Sequence, residues 1–136
     1  DVFIATAAVA DYTVASPAAQ KMKKEGEALT LTLAPTTDIL RTVAARPGAP
    51  FTVGFAAETE RLAEYARGKL ASKSLNMIAA NLVGRAGTGF ESDDNELSVF
   101  WNGGEKQLGK ASKQALAREL VAIIAERYRA EAAQAQ

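Results

Sequence analysis

Three short apolar runs, at residues 2–8, 51–55 and 76–80, are separated by stretches of helical period, and this pattern constrains the fold more than any other feature of the chain. A run that is apolar at almost every position, as these are apart from Thr6, Thr52 and Asn76, suits a strand covered on both faces. Between the runs, Thr36, Thr37 and Asp38 supply N-cap candidates for a short helix over 39–45, which Pro47-Gly48 stops. A longer helix is expected over 59–72, with Leu62, Tyr65, Ala66 and Leu70 as its apolar stripe. Residues 29–33 alternate strictly and predict a half-exposed strand, while 13–20 and 82–94 read as loops. Residues 96–101 form a further strand, Asn102-Gly103-Gly104 a turn, and 106–108 the return arm of a hairpin. Ser112 caps a last helix whose Leu116, Leu120, Ile123 and Ile124 share one face, and residues 129–136 should fray. Adjacent Phe100 and Trp101 must point to opposite faces of their strand.

Strands alternating with helices, followed by a hairpin and a closing helix, predict an α/β fold. It has three layers and a mostly parallel sheet, and the 136 residues suffice for one domain with a real core. Ligands of such sheets gather at the carboxyl ends of the strands. Asp11, Phe55 and Asn81 all fall at predicted strand ends, so they are expected to converge on one crevice. The chain has no initiator Met and enters an apolar strand almost at residue 1, so it reads as part of a longer protein.

Composition narrows the chemistry. There is no Cys and no His, which removes thiolate nucleophiles, Cys-ligated zinc, serine triads and the commonest general base. Lys plus Arg and Asp plus Glu are 16 each, so no net charge points to nucleic acid or to a membrane surface. No apolar stretch is long enough to span a bilayer and no basic leader is present, so a cytoplasmic setting is expected. What remains is Lys, Arg, carboxylate and backbone amide, a set suited to phosphate chemistry, where positioning and charge stabilisation do most of the catalysis.

Single residues leave more than one reading open. Lys21, Lys23 and Lys24 follow a flexible stretch and offer point charges for an anion, yet composition alone favours a solvated surface run, with Glu25 and Glu27 partly neutralising it. Lys69 and Lys73 share one helix face, which alone says little. Asp11 suits a divalent cation beside phosphates or a turn cap. By period Phe55 is core, and Asn81 satisfies a turn or reads a base.

The order of these segments carries more than any one of them. Ala7-Ala8-Val9-Ala10-Asp11-Tyr12, then Lys21-Met22-Lys23-Lys24, then Asp38-Ile39-Leu40, then Val53-Gly54-Phe55-Ala56-Ala57-Glu58-Thr59 resembles bacterial phosphopantothenate–cysteine ligase, the C-terminal part of a bifunctional coenzyme A biosynthesis protein. Ala79-Ala80-Asn81, Gly89-Phe90, Asp94-Asn95 and Phe100-Trp101 continue the match, which covers all but the tail. The resemblance implies a Rossmann-like fold, a homodimer, and a bacterial fusion to a flavin-dependent decarboxylase. It implies that the carboxylate of 4′-phosphopantothenate attacks the α-phosphate of CTP to give an acyl-cytidylate, and that the amine of cysteine then displaces CMP.

By the same resemblance, Lys21 serves acyl-cytidylate formation, and Ala5, Thr6, Ala7, Asp11, Thr37, Asp38, Ile39, Leu40, Phe55, Lys69 and Lys73 contact CTP. Asp11 is also the candidate for the neighbourhood of Mg²⁺. Thr36-Thr37 stands where the family commonly has Asn-Pro, and the family's Gly-rich N-terminal segment has no counterpart in this chain. The polypeptide alone is therefore expected to lack full ligase turnover. Two other readings compete: a nucleotide-binding module without catalysis, and part of a dinucleotide-dependent oxidoreductase, although no G-x-G-x-x-G follows the first strand.

Overall fold

The structure, a computed structural model, describes residues 1–23, 26, 28–83 and 94–134. The elements are β1 (Val2–Ile4), β2 (Tyr12–Val14), β3 (Leu33–Pro35), α1 (Ile39–Ala44), β4 (Phe51–Glu58), α2 (Leu62–Ser72), β5 (Met77–Leu82), β6 (Asp94–Trp101), β7 (Gly104–Ser112) and α3 (Lys113–Gln134). Five strands form one sheet in the order β1-β4-β5-β6-β7, while β2 and β3 form a separate two-stranded ribbon. The β1–β4 and β4–β5 pairings are parallel, and the β5–β6 and β6–β7 pairings are antiparallel. Four of the five strands therefore run in one direction and β6 alone runs against them, as expected of a mostly parallel α/β sheet with an added hairpin.

Period-2 alternation divides the core into two halves. Val53, Met77, Ala79, Val99 and Leu108 face α3, which answers with Leu116, Leu120, Ile123 and Ile124. Ala56, Ile78, Ala80 and Phe100 face the other way, against Ala66 and Leu70 of α2 with Leu40 and Ala44 of α1 at the margin. Phe100 and Trp101 divide between the two faces as their adjacency requires. Gly54 lets α1 approach, because a Cβ there would lie 2.8 Å from Leu40 Cδ2. The hairpin turns at Asn102-Gly103, with Gly103 at φ 81°. Trp101 lies across Gly104, where a Cβ would come 2.5 Å from its Nε1.

Several expectations need correction. The apolar run at residues 2–8 is strand only through Ile4, and Val2 and Ile4 are 42% and 38% exposed. Among the described residues β1 pairs with β4 alone, and a continuous apolar run does not reveal how many neighbours a strand has. Asp11 consequently stands just before β2 rather than at the end of a buried strand. Of the alternating stretch 29–33 only Leu33 is in a strand, and Leu29, Leu31 and Leu33 are exposed. Its partner is Tyr12–Val14, paired as Thr13↔Ala34, so the loop expected from Thr13 begins later.

α2 starts at Leu62 instead of 59, because Arg61 takes a left-handed φ of 47°. Its end is a Schellman motif, with Leu75 N–H donating to Leu70 O and Ser74 N–H to Ala71 O. β5 runs from Met77 to Leu82, so Asn81 lies inside the strand. α3 continues through Gln134 where fraying was expected from 129. The segment is built of good helix formers, and Asn76 Nδ2 donates to Glu131 Oε2 at 2.7 Å. Ser112 caps this helix as expected, accepting from Ala115 N–H at 3.2 Å. The loop expected between β5 and β6, with Gly89-Phe90, lies outside the described residues apart from its ends.

Candidate functional site

Two cavities open at the carboxyl end of the parallel strands, and the segment leaving β1 forms the wall between them. One, of about 420 Å³, is lined by residues 3–11, by Thr36, Thr37, Asp38, Ile39 and Leu40, and by Phe55 and Lys73. The other, of about 500 Å³ and largely apolar, is lined by Ala5, Thr6, Ala7, Ala8 and Phe55 again, with Asn81, Asn95, Leu97 and the start of α3 beyond. The expected meeting of Asp11, Phe55 and Asn81 is therefore divided. Asp11 lines the first cavity, Asn81 the second, and Phe55 both. Phe55 is not the core residue that its period suggested; it is 43% exposed, because it stands beyond the reach of the core cluster that Val53 enters.

The first cavity, a polar crevice, owes its shape to a joint between ribbon and sheet. Thr36 N–H donates to Asp11 O at 2.9 Å, and Thr36 Oγ1 donates to Ala10 O at 2.6 Å. The chain then turns into α1 through Asp38, whose Oδ1 accepts from Arg41 N–H at 3.0 Å as an N-cap. Asp38 Oδ2 pairs with Lys73 Nζ at 2.9 Å. The Asp38 carboxyl is held below the usual carboxylate range, chiefly by the Arg41 N–H; burial opposes this and the Lys73 ammonium adds to it.

One turn earlier on α2, Lys69 Nζ pairs with Glu58 Oε1 at 2.7 Å. Helix side chains lean toward the helix N-terminus, which for α2 is the carboxyl end of the sheet, so both lysines reach upward. Lys69 stays outside the lining of the crevice. Lys21 is exposed on the connection between β2 and β3, also outside that lining. Lys24, Glu25 and Glu27 fall outside the described residues. Ala5, Thr6, Ala7, Asp11, Thr37, Asp38, Ile39, Leu40, Phe55 and Lys73 are thus brought to one crevice, and Lys21 and Lys69 are not.

Among the described residues, no three carboxylates cluster as a metal cage, and no helix is long and apolar enough to cross a membrane.

Residues 1–128 match the family described as DNA/pantothenate metabolism flavoprotein C-terminal domain. The chain belongs to that family. Among its relatives, the coenzyme A biosynthesis bifunctional protein CoaBC of Vibrio cholerae is 48% identical over 128 residues, covering 92% of this chain and 32% of that protein. The protein of the same name from Escherichia coli K12 is 43% identical over 132 residues, covering 94% and 32%. The chain therefore spans about a third of the length of the curated relatives it matches. Among solved structures, the C-terminal domain of a CoaBC protein superposes with a TM-score of 0.67 at 33% identity, over 91% of this chain and 53% of that one. A DNA/pantothenate metabolism flavoprotein from Streptococcus pneumoniae, 20% identical with a TM-score of 0.70, supports the fold alone. The resemblance to the ligase part of the bifunctional protein is upheld.

Two features of the site had no signal in the residue pattern. Glu58 reads as a rim residue after a strand, and its pairing with Lys69, eleven positions on, exists only because α2 folds back over the end of β4. Asn95 and Lys113 of the second cavity come from either end of a hairpin, and only the antiparallel register of β6 and β7 brings them close.

Proposed function

We propose that this chain is the nucleotide-binding part of a CTP-dependent phosphopantothenate–cysteine ligase acting in coenzyme A biosynthesis, the process for which its CoaBC relatives are named. The observation that carries the reading is the crevice itself. A chain without Cys or His brings Asp11, Phe55, Lys73 and the segment around Asp38 together where parallel strands end. In this reading Phe55 offers an aromatic face to the nucleoside, and residues 5–7 form the floor against which its phosphates lie. Lys73, with Lys69 a turn away, supplies ammonium groups toward the phosphates.

The carboxylate oxygen of 4′-phosphopantothenate forms a bond to the α-phosphorus, and the bond to the β-phosphate bridging oxygen breaks, releasing pyrophosphate. Negative charge builds on that leaving group, so lysines aimed there stabilise the transition state more than the ground state. Lys21 is the lysine assigned to this half-reaction. The amine of cysteine then attacks the acyl carbon, its nitrogen gives up a proton, and CMP leaves as the amide forms. Mg²⁺ suits the donor chemistry, since this ion keeps several waters and takes one or two carboxylates beside substrate phosphates, and Asp11 lines the crevice with a carboxylate. It would neutralise phosphate charge. The reading includes a homodimer, a cytoplasmic setting and a flavin-dependent decarboxylase on the same polypeptide.

The test is pyrophosphate release from CTP and 4′-phosphopantothenate by the full-length protein. Lys21→Gln should slow it by about 10²-fold or more while the melting temperature holds. Release at the wild-type rate would remove Lys21 from the mechanism. Absence of release from folded wild type that still binds CTP would leave a nucleotide-binding module without catalysis.

A further inference from the structure

We infer that Glu58 is a positioning residue, holding Lys69 in place for the outer phosphates of the nucleoside triphosphate; the inference rests on the functional reading above. Glu58 is the last residue of β4, on the same face of the strand as Ala56, which packs in the α2 half of the core. Its side chain is 13% exposed, whereas that of Lys69 is 44% exposed, and the two meet at 2.7 Å. The pair is therefore a dipole with its negative end mostly covered and its positive end turned to solvent at the strand ends. Backbone pairing keeps the buried end still: Glu58 lies opposite Leu82 in the parallel register, and its carbonyl accepts from Val83 N–H at 2.8 Å.

A lysine gripping a phosphate must give up much of its rotamer freedom. Lys69 has already given much of it up to Glu58, and among the described residues no other acceptor is paired with its ammonium. Lys73, one turn on, lines the crevice and is held in the same manner by Asp38. Two ammonium groups, one in the last turn of α2 and one at its C-cap, are each paired with a carboxylate from another part of the chain. Lys73 stands at the crevice and Lys69 outside its lining, so Lys69 is assigned the outer phosphates of a triphosphate and not the phosphate of a monophosphate.

Calorimetric titration of the full-length protein with CTP and with CMP tests this. Glu58→Gln should weaken CTP about five- to tenfold and leave CMP unchanged. Lys69→Met should give a similar loss, and the double variant should bind no worse than Lys69→Met alone, because Glu58 acts through Lys69. If Glu58 merely repelled phosphate, Glu58→Gln would tighten CTP, and that result overturns the inference. Unchanged CTP affinity overturns it as well, as do equal losses for CTP and CMP, the mark of a general structural role. If Glu58→Gln does not fold, Glu58→Asp, which draws the carboxylate back by one methylene, must still weaken CTP selectively. Failure of the wild type to bind CTP would instead remove the functional reading itself.

Discussion

The five-stranded sheet and the β2–β3 ribbon are built from similar apolar residues and use them in opposite ways. In the sheet, β4 and β5 bury Val53, Met77, Ile78 and Ala79 almost completely between two helical layers. In the ribbon and the segment leading into it, Tyr12, Leu29, Leu31 and Leu33 are all more than half exposed. A two-stranded ribbon has no second layer of its own, and such a pair is marginal in isolation. It is held by its junction with the crevice, where Thr36 bonds to Ala10 and Asp11 and where Asp38 caps α1. Apolar pattern reports what a strand is able to bury, and neighbours decide what it does bury.

This contrast can be broken experimentally, most forcefully in the sheet. Phe100→Ala empties a site in the α2 half of the core, where the ring is wholly buried and Arg67 stacks 5.0 Å from its centroid. A loss of about 3–5 kcal/mol is expected in denaturant unfolding. A loss below about 1 kcal/mol would mean that the sheet is no better packed there than the ribbon.

An intermediate effect is expected at the joint. Asp38→Ala removes the cap of α1 and should cost about 1 kcal/mol. Asp38→Asn keeps a capping oxygen and isolates the charge. Because the folded-state pKa of Asp38 is lowered from 3.8, its ionic contribution is fully present above that value and is lost as pH falls through the lower folded value. The melting-temperature difference between wild type and Asp38→Asn should therefore shrink on acidification from about pH 5 to about pH 2. A difference that stays constant over that window would show that the Lys73 pair contributes nothing to folding.

The smallest effect belongs to the segment leading into the ribbon. Leu31, 55% exposed, should tolerate Leu31→Ser within about 0.5 kcal/mol. A cost well above that, read by the same unfolding assay, would mean that something covers the ribbon in solution, and the comparison would have to be redrawn.

The two regions also differ in how well they could be read from residues. Where two signals agreed, the element was legible. Asp38 with the stop at Pro47-Gly48 located α1, and Ser112 with Leu116, Leu120, Ile123 and Ile124 located α3 and its buried face. Residues 2–8 and 29–33 carried an apolar pattern alone, and both were read as longer strands than they form, because hydropathy is blind to whether a neighbour exists. The crevice was legible in part. The run from Ala5 to Asp11, Asp38 and its neighbours, Phe55 and Lys73 do meet, while Asn81 turned out to serve the cavity behind.

By itself the sequence determined the class of fold and the kind of chemistry open to it. Hydrophobic period is a local property that survives without knowledge of partners, and the absence of Cys and His is a fact of composition. Only the tertiary structure decided that one crevice became two, that β1 pairs with β4 alone among the described residues, and that Glu58 holds Lys69 while Asp38 holds Lys73. Those pairs are separated by 11 and 35 positions, and their charges meet only through the sheet register and the lean of α2, which no local pattern encodes.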